Sequence, residues 1–408
     1  MGFVSILRVV LAIIFAVLIA HEEDQVLEYH RQVADFTFSH HTTLEDRLKL
    51  RAKPNTRLVT TFNINNSFTT EERHVHHDFL KRANSAIHLV HTADWIKLGQ
   101  VAKTSLDLCQ RYFKDGLPYI PLASFVRVVS FSLVLHVLFG VEASEVDLGE
   151  ARKATEAINR LWIQSKNQDC VPSLYDKTIL NNALGRLLPE ESLPDDGIRP
   201  LDLIMPAYET LWRVVLLTFV SMAGKNVDPT TEAELQEALH SVPHCFCQKN
   251  DAEMRALAIA KEGLRLYPPT KRIYRATSTI DGESGVVAAD VEACHRNGLV
   301  WGTDALQFKP RRFHNWPREE ARRSYFPFGV GRHLCPAAAE FGDKIVVLLV
   351  VELTRQFGTR KSGLNIHFGN IGIQQCFSTP LPSGRSDMEN WVLEVGKREL
   401  IVSTFRAL

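Results

Sequence analysis

At 408 residues with 45% hydrophobic side chains, the chain can bury a large core, which excludes a disordered segment and a small disulfide-stapled scaffold. Its 47 lysines and arginines balance 47 aspartates and glutamates, so no net field draws it to nucleic acid or acidic partners. The seven cysteines (Cys109, Cys170, Cys245, Cys247, Cys294, Cys335 and Cys376) are odd in number and irregularly spaced, which argues against a disulfide framework and for a reducing compartment.

Residues 3–20, FVSILRVVLAIIFAVLIA, form an apolar run broken chiefly by Arg8. A helix that crosses a bilayer needs about 17 to 25 such residues, so the run predicts a membrane anchor at 1–21 ahead of a catalytic domain at 22–408. A cleaved signal peptide is the competing reading, because the apolar stretch after Arg8 is short. From Glu23 to about Met222 the apolar spacing is mostly helical, as over Trp95 to Tyr112 and Phe125 to Leu138, with breaks at Gly116, Pro118, Pro121 and Gly140. Residues 185–200 read as a loop that introduces an apolar helix from Leu201 to Met222. A further helix, Ala252 to Leu266, is predicted to stop at Tyr267-Pro268-Pro269, since proline pushes the residue before it out of helical geometry. Beyond Pro269 come short β-prone runs, and Trp391 to Val395 with Glu399 to Phe405 around Gly396 predict a β-hairpin. A last helix is predicted over Ala337 to Phe357. The fold class is therefore mainly α with a smaller β part, an α+β layout with no linker that divides it.

The chemistry concentrates in Phe328-Gly329-Val330-Gly331-Arg332-His333-Leu334-Cys335-Pro336-Ala337. Gly329 and Gly331 permit positive φ and close backbone approach, so N–H groups can turn toward one sulfur. Pro336 suits the first turn of a helix, whose amino end favours the ionised thiol. A thiolate held this way suits a metal, haem iron above all. Glu262 and Arg265 share a helix face and can pair, leaving further Arg265 donors free. Pro206 inside the helix from Leu201 to Met222 frees a carbonyl four residues back and bends the axis, and Glu209 beside Thr210 sets a carboxylate next to a hydroxyl, a pair able to relay protons.

These segments together resemble the cytochrome P450 family. Phe328, Gly331 and Cys335 match its haem-binding pattern F-x-x-G-x-R-x-C-x-G. His333 stands where that pattern has arginine and Ala337 where it has glycine; Arg332-His333 resembles filamentous-fungal members. Glu262-x-x-Arg265 matches the family's E-x-x-R, and Pro310-Arg311-Arg312-Phe313 its P-E-R-F, with Arg311 replacing glutamate. Pro206-Ala207-Tyr208-Glu209-Thr210 stands for A/G-G-x-D/E-T.

The resemblance implies a P450 fold, haem b on Cys335, and His333 as a donor to a haem propionate. It also implies a buried cluster of Glu262, Arg265 and Arg312, with Thr210 and Glu209 as proton donor and relay. It implies NADPH electrons through a separate reductase and insertion of one oxygen atom of O2 into a lipophilic small molecule. Secondary-metabolite biosynthesis at the endoplasmic reticulum membrane, with the catalytic domain in the cytosol, completes the expectation. Alternatives are a reductase-independent isomerase of the same fold and a shortened, non-catalytic relative, since the amino-terminal half is brief for the family. The expected W-x-x-x-R is absent, so Arg73, His77 and Lys81 compete as propionate donors with a solvated charged face. His244-Cys245-Phe246-Cys247 lacks the second pair that a zinc site requires, and Asn65-Asn66-Ser67 is a glycosylation sequon by letter only.

Overall fold

The computed structural model describes residues 24–38, 43–92, 95–167, 169–190, 199–225, 227–277, 285–315, 319, 323–369 and 380–394. The expected anchor at 1–21 and the second hairpin arm, Glu399 to Phe405, lie outside them. Helical residues 24–35 (α1) are followed by α2 (Leu44–Ala52), α3 (Thr56–Phe62), α4 (Arg73–Thr92), α5 (Trp95–Lys114), α6 (Leu122–Phe139), α7 (Leu148–Gln164) and α8 (Leu174–Leu187). Then come α9 (Pro200–Met222), α10 (Pro229–Ser241), α11 (Asp251–Leu266), the short α12 (Val291–Arg296) and α13 (Gly298–Trp301), and α14 (Phe341–Phe357).

Side-chain caps start several of these helices. Asp147 accepts from the Gly149 and Glu150 amides, Ser173 from Asp176, Asp228 from Thr230 and Thr231, and Asn250 from Glu253. At the centre α6 buries nearly its whole circumference, with α5, α7 and α9 around it, and α9 packs on α14 and α11. By length and composition α6 and α9 could cross a bilayer, yet most of each is buried against other helices, so they serve as core.

Two small antiparallel sheets complete the fold. β2 (Arg272–Ala276) pairs with β3 (Val286–Asp290), and α1 covers this ladder through Leu27, Val33 and Ala34 against Ala289, Val291, Cys294 and Phe326. The other sheet runs β1 (Tyr119–Pro121), β5 (Val392–Glu394), β4 (Asn365–His367). The sequence predicts Trp391 to Val395 as one arm of a local hairpin; in the fold β5 is instead a middle strand. Leu393 sits between Ile120 and Ile366, all three buried, and this row of apolar partners from distant segments sets the pairing. The predicted helix from Ala337 also begins later. Pro336–Ala338 forms a separate 3₁₀ turn, Glu340 at φ 71° breaks the chain, and α14 starts at Phe341.

Among the described residues no strand precedes Tyr119, and the cysteines carry no disulfide. Cys245 and Cys247 lie on a 3₁₀ turn, one buried and one exposed, and no described cluster of His, Cys, Asp and Glu could hold a metal ion there.

α11 crosses α9 where Gly263 meets Thr218. A Cβ on Gly263 would stand 2.0 Å from Thr218 Oγ1, so glycine is what lets the helices approach. Gly263→Ala is expected to destabilise the protein by about 1–3 kcal/mol, and adding Thr218→Ala should restore most of the loss. Urea unfolding of the two variants measures both effects; equal instability in single and double variants would remove this contact as the cause.

Candidate active site around Cys335

The Cys335 loop is held by its own backbone. Gly329 and Gly331 take φ of 78° and 65°, conformations that favour glycine. The Cys335 amide donates to Phe328 O at 3.0 Å and the Ala338 amide to Cys335 O at 3.0 Å. The Phe328 ring lies against Gly342, where a Cβ would come within 2.5 Å of it, so the loop is pinned to the start of α14. Burial pushes the Cys335 thiol up, while the Ala337 N–H and the Arg51 charge pull it back. The N–H and the cation act in the direction expected of the loop, and burial acts against them. Position 337 serves the sulfur through its N–H, which alanine supplies as well as glycine.

Beside the loop gathers a set of cations from two elements, α2 and β2. Arg47 and Arg51 stand one turn apart on α2, and both reach His333. Arg47 Nε lies 3.3 Å from Nε2 and Arg51 Nη1 3.3 Å from Nδ1. A neutral imidazole accepts at only one ring nitrogen, so one of these contacts is no hydrogen bond. Arg51 also donates to Ser67 Oγ at 3.0 Å, which meets His76 Nδ1 at 2.8 Å. Arg275 on β2 donates to the Tyr274 and Ala34 carbonyls and lies over the Phe36 ring.

Burial, then the charge of Arg51, brings the His333 pKa down to about 3 and that of His76 to about 4, so both rings are neutral near pH 7. Burial lowers Arg51 to about 10 and Arg275 well below the usual arginine value. Among the described residues neither Arg51 nor Arg275 has a carboxylate within ion-pair distance. Of the residues expected on α4, Arg73, His77 and Lys81 are all exposed, with Arg73 paired to Glu45 at 2.6 Å; the buried member is His76.

On α9 the proline does what its chemistry requires. Pro206 leaves the Asp202 carbonyl without a helical donor, and Asn66 Nδ2 supplies one at 2.8 Å. Thr210 Oγ1 donates to Pro206 O at 3.0 Å. Leu203, Pro206, Ala207, Thr210 and Arg213 are half-buried on a helix otherwise buried from Leu201 to Met222, and their spacing puts them on one face. Glu209 is buried off this stripe and forms an ion pair with Arg385, whose Nη1 donates to Oε1 at 3.0 Å and to Asn159 Oδ1 at 3.2 Å. Asn159 Nδ2 donates onward to Glu389, which accepts two bonds from Arg127.

The structure brings Glu262, Arg265 and Arg312 together. Glu262 Oε2 accepts from Arg265 Nε at 2.7 Å, and Oε1 from Arg265 Nη2 at 2.8 Å, the Lys309 amide at 2.8 Å and Arg312 Nε at 3.1 Å. Arg265 Nη1 donates to the His295 and Ala305 carbonyls. His295 extends this cluster to the cysteine loop, because its Nε2 accepts from the Phe326 amide at 2.9 Å. Nothing in Cys294-His295-Arg296 marks that histidine in advance. Arg47 and Arg51 do leave a trace, as arginines four apart that share a helix face.

Residues 189–338 match the family model described as Cytochrome P450. Cytochrome P450 CYP82D47 of Panax ginseng is 33% identical over 138 residues, 30% of this chain and 38% of that protein. Cytochrome P450 98A1 of Sorghum bicolor is 28% identical over 222 residues, 49% of this chain and 42% of that one. The match thus spans less than half the length of these relatives. Among solved structures, CYP175A1 of Thermus thermophillus shares 18% identity at a TM-score of 0.53, covering 80% of this chain and 81% of its own. Ligand-free cytochrome P450 OleT shares 14% at 0.54, covering 86% and 85%. At these identities the likeness is one of fold.

The residues present fit the iron porphyrin that the family match over residues 189–338 implies. One half-buried thiol suits a soft metal, and Arg51 and Arg275, with no carboxylate partner among the described residues, suit two propionates.

Two measurements probe this architecture. Glu262→Ala leaves two guanidinium groups short of their acceptor in a dry site and is expected to cost about 3–5 kcal/mol in chemical unfolding; a loss under 1 kcal/mol would deny the cluster its structural role. The second concerns Glu234, buried near Arg311 and 3.5 Å from His314, whose pKa burial pushes up from 4.5 to about 7. A raised acid binds its proton more readily folded than unfolded, so its contribution to stability falls as pH rises through that window. Glu234→Gln is therefore expected to match the parent near pH 4 and exceed its stability near pH 8 by about 1–2 kcal/mol; parallel curves would contradict this.

Proposed function

We propose, for a chain whose residues 189–338 belong to the cytochrome P450 family and whose fold is that family's, a haem-thiolate monooxygenase that inserts one oxygen atom of O2 into a lipophilic small molecule. The observation that carries this reading is the half-buried Cys335 thiol in its glycine loop, served by the Ala337 N–H and beside Arg51, which has no carboxylate partner among the described residues. Haem b, when bound, would supply the activation of dioxygen, and Cys335 is the residue that would hold it.

The protein's own residues do the rest. The Ala337 N–H steadies the sulfur, and Arg51, Arg275 and the neutral His333 hold the propionate side, with His76 fixed behind them through Ser67. Thr210 keeps a proton at Oγ1 on the half-buried face of α9, the atom from which delivery starts. Leu203, Pro206 and Ala207 line that face with apolar surface and limit water. Glu209, the relay in this scheme, acts from within its pair with Arg385 rather than as a free carboxylate.

Electrons come from NADPH through a separate cytochrome P450 reductase. An anchor at 1–21 keeps the catalytic domain, 22–408, on the cytosolic face of the endoplasmic reticulum, where lipophilic substrates partition, and secondary-metabolite biosynthesis is the setting. The engagement of Glu209 by Arg385 favours one second reading, a reductase-independent rearrangement that needs no proton relay. Thr210→Ala separates the two, because it uncouples NADPH use from product in a monooxygenase and leaves an isomerase active.

The reduced carbon-monoxide difference spectrum tests the assignment directly. The parent protein is expected to show the thiolate-haem Soret band, Cys335→Ser to lose it, and Arg51→Ala to retain haem more weakly. Absence of that band in the folded parent would overturn the proposal.

A further inference from the structure

His295 lies in the last turn of α12, a helix of six residues that its neighbours tie down along its length. Asp290 caps it by accepting from the Ala293 amide at 3.0 Å, and Trp301 Nε1 donates to Cys294 O at 3.0 Å. Arg265 Nη1 reaches His295 O at 2.8 Å, and Arg296 Nε donates to Leu266 O at 3.1 Å. Three consecutive residues of α12 are thus fixed, one of them to the Glu262 cluster.

The His295 ring is fully buried, stacked on Tyr325 at 5.2 Å and 28° and met edge-on by Phe326 at 5.5 Å. Its Nε2 accepts from the Phe326 amide at 2.9 Å. From that peptide two further hydrogen bonds lead to the cysteine, because Phe326 O accepts from the Gly329 amide at 3.1 Å and Phe328 O from the Cys335 amide at 3.0 Å. Tyr325 Oη holds the same corner by donating to Lys261 O at 3.2 Å. An imidazole accepts only while it is neutral, so the ring keeps its one proton on Nδ1. Burial, then the charge of Arg265, brings its pKa down to about 3, and the acceptor therefore persists in neutral and mildly acidic solution.

We propose that His295 is a positioning residue for Cys335: its imidazole passes the fixed geometry of the Glu262, Arg265 and Arg312 cluster to the thiol loop through the Phe326 peptide. Without an acceptor at that point the Phe326 N–H is buried and unbonded, and the loop relieves it only by moving. The movement falls on Gly329 and then on the Cys335 amide. That the positioned sulfur is a metal ligand rests on the haem-thiolate reading; the hydrogen-bonded pin does not.

The test compares the parent with His295→Leu and His295→Gln as full chains, by amide hydrogen exchange and by the reduced carbon-monoxide spectrum. Leucine accepts nothing, whereas the glutamine Oε1 offers an acceptor at a similar reach. His295→Leu is expected to speed exchange at the Phe326 amide about tenfold while the α6 amides keep their rates, and to lose part of the thiolate band; His295→Gln should restore most of both. An undiminished band in His295→Leu would overturn the proposal, and so would equal losses in the two variants. If His295→Leu does not fold, the parent decides. Histidine-selective 15N NMR is expected to show the His295 ring unprotonated, with its proton on Nδ1, between about pH 5 and 8, and a ring that gains a second proton in that range is not the acceptor required. The two readings separate in these data. Faster Phe326 exchange in His295→Leu, on a parent that lacks the band, sinks the haem-thiolate assignment alone, and a parent band that His295→Leu leaves intact sinks the positioning role alone.

Discussion

A guanidinium taken out of water must be answered by an anion, and the interior of this protein is arranged around that demand. Glu262 answers Arg265 and Arg312, with three backbone carbonyls filling the remaining donors of Arg265, so the cluster is satisfied within the chain. Glu209 and Glu389 answer Arg385 and Arg127 in the same manner. Among the described residues no carboxylate pairs with Arg51 or Arg275, which gather instead beside His333 and the cysteine loop.

The two kinds of site are mechanically joined. Arg265 reaches the His295 carbonyl, and His295 takes the Phe326 amide at the start of the cysteine loop, so the satisfied cluster fixes the position of the sulfur. Tyr267, at the end of α11, does similar work on the other side. Its hydroxyl meets Ser221 at the end of α9 and accepts from the Leu381 amide. One helix therefore links the thiol loop, the threonine helix and the carboxyl-terminal segment. Because Gly263 lets that helix lie directly on α9, a small shift in one element is felt in the others.

What could be read from the sequence was whatever local chemistry forces. Pro268 and Pro269 end α11 where expected, α9 runs from Pro200 rather than Leu201, and Glu262, Arg265 and Arg312 meet as the order and spacing of their segments implied. Arg51, Arg275, His295 and Arg385 escaped because their meaning lies in convergence. Arg51 meets His333 across 282 positions, and Arg385 meets Glu209 across 176, distances over which no periodicity carries information. The hairpin expected near Gly396 failed for a related reason: a short alternating run does not say which strand will cover it, and Ile120 with Ile366 made the better partners for Leu393. Glu209 shows the converse error, since its neighbour Thr210 implied a relay but not the arginine that holds it.

The segment that contributes β5 also contributes Arg385 and Glu389, so the last described residues complete both a sheet begun at Tyr119 and the neutralisation of a carboxylate on α9. Before that segment docks, Glu209 is an acid on an apolar helix without its cation, and β1 and β4 lack the strand between them. Such long-range closures come late, because the loop entropy they cost is recovered only when the final contacts form. During synthesis the helices can gather as they emerge from the ribosome, but the Glu209–Arg385 pair and the β1–β5 pairing cannot form until residues 385–394 have emerged. The protein is thereby committed to closing these contacts after its scaffold, and chains that lack this segment are left with Glu209 unpaired and Ile120 uncovered by Leu393.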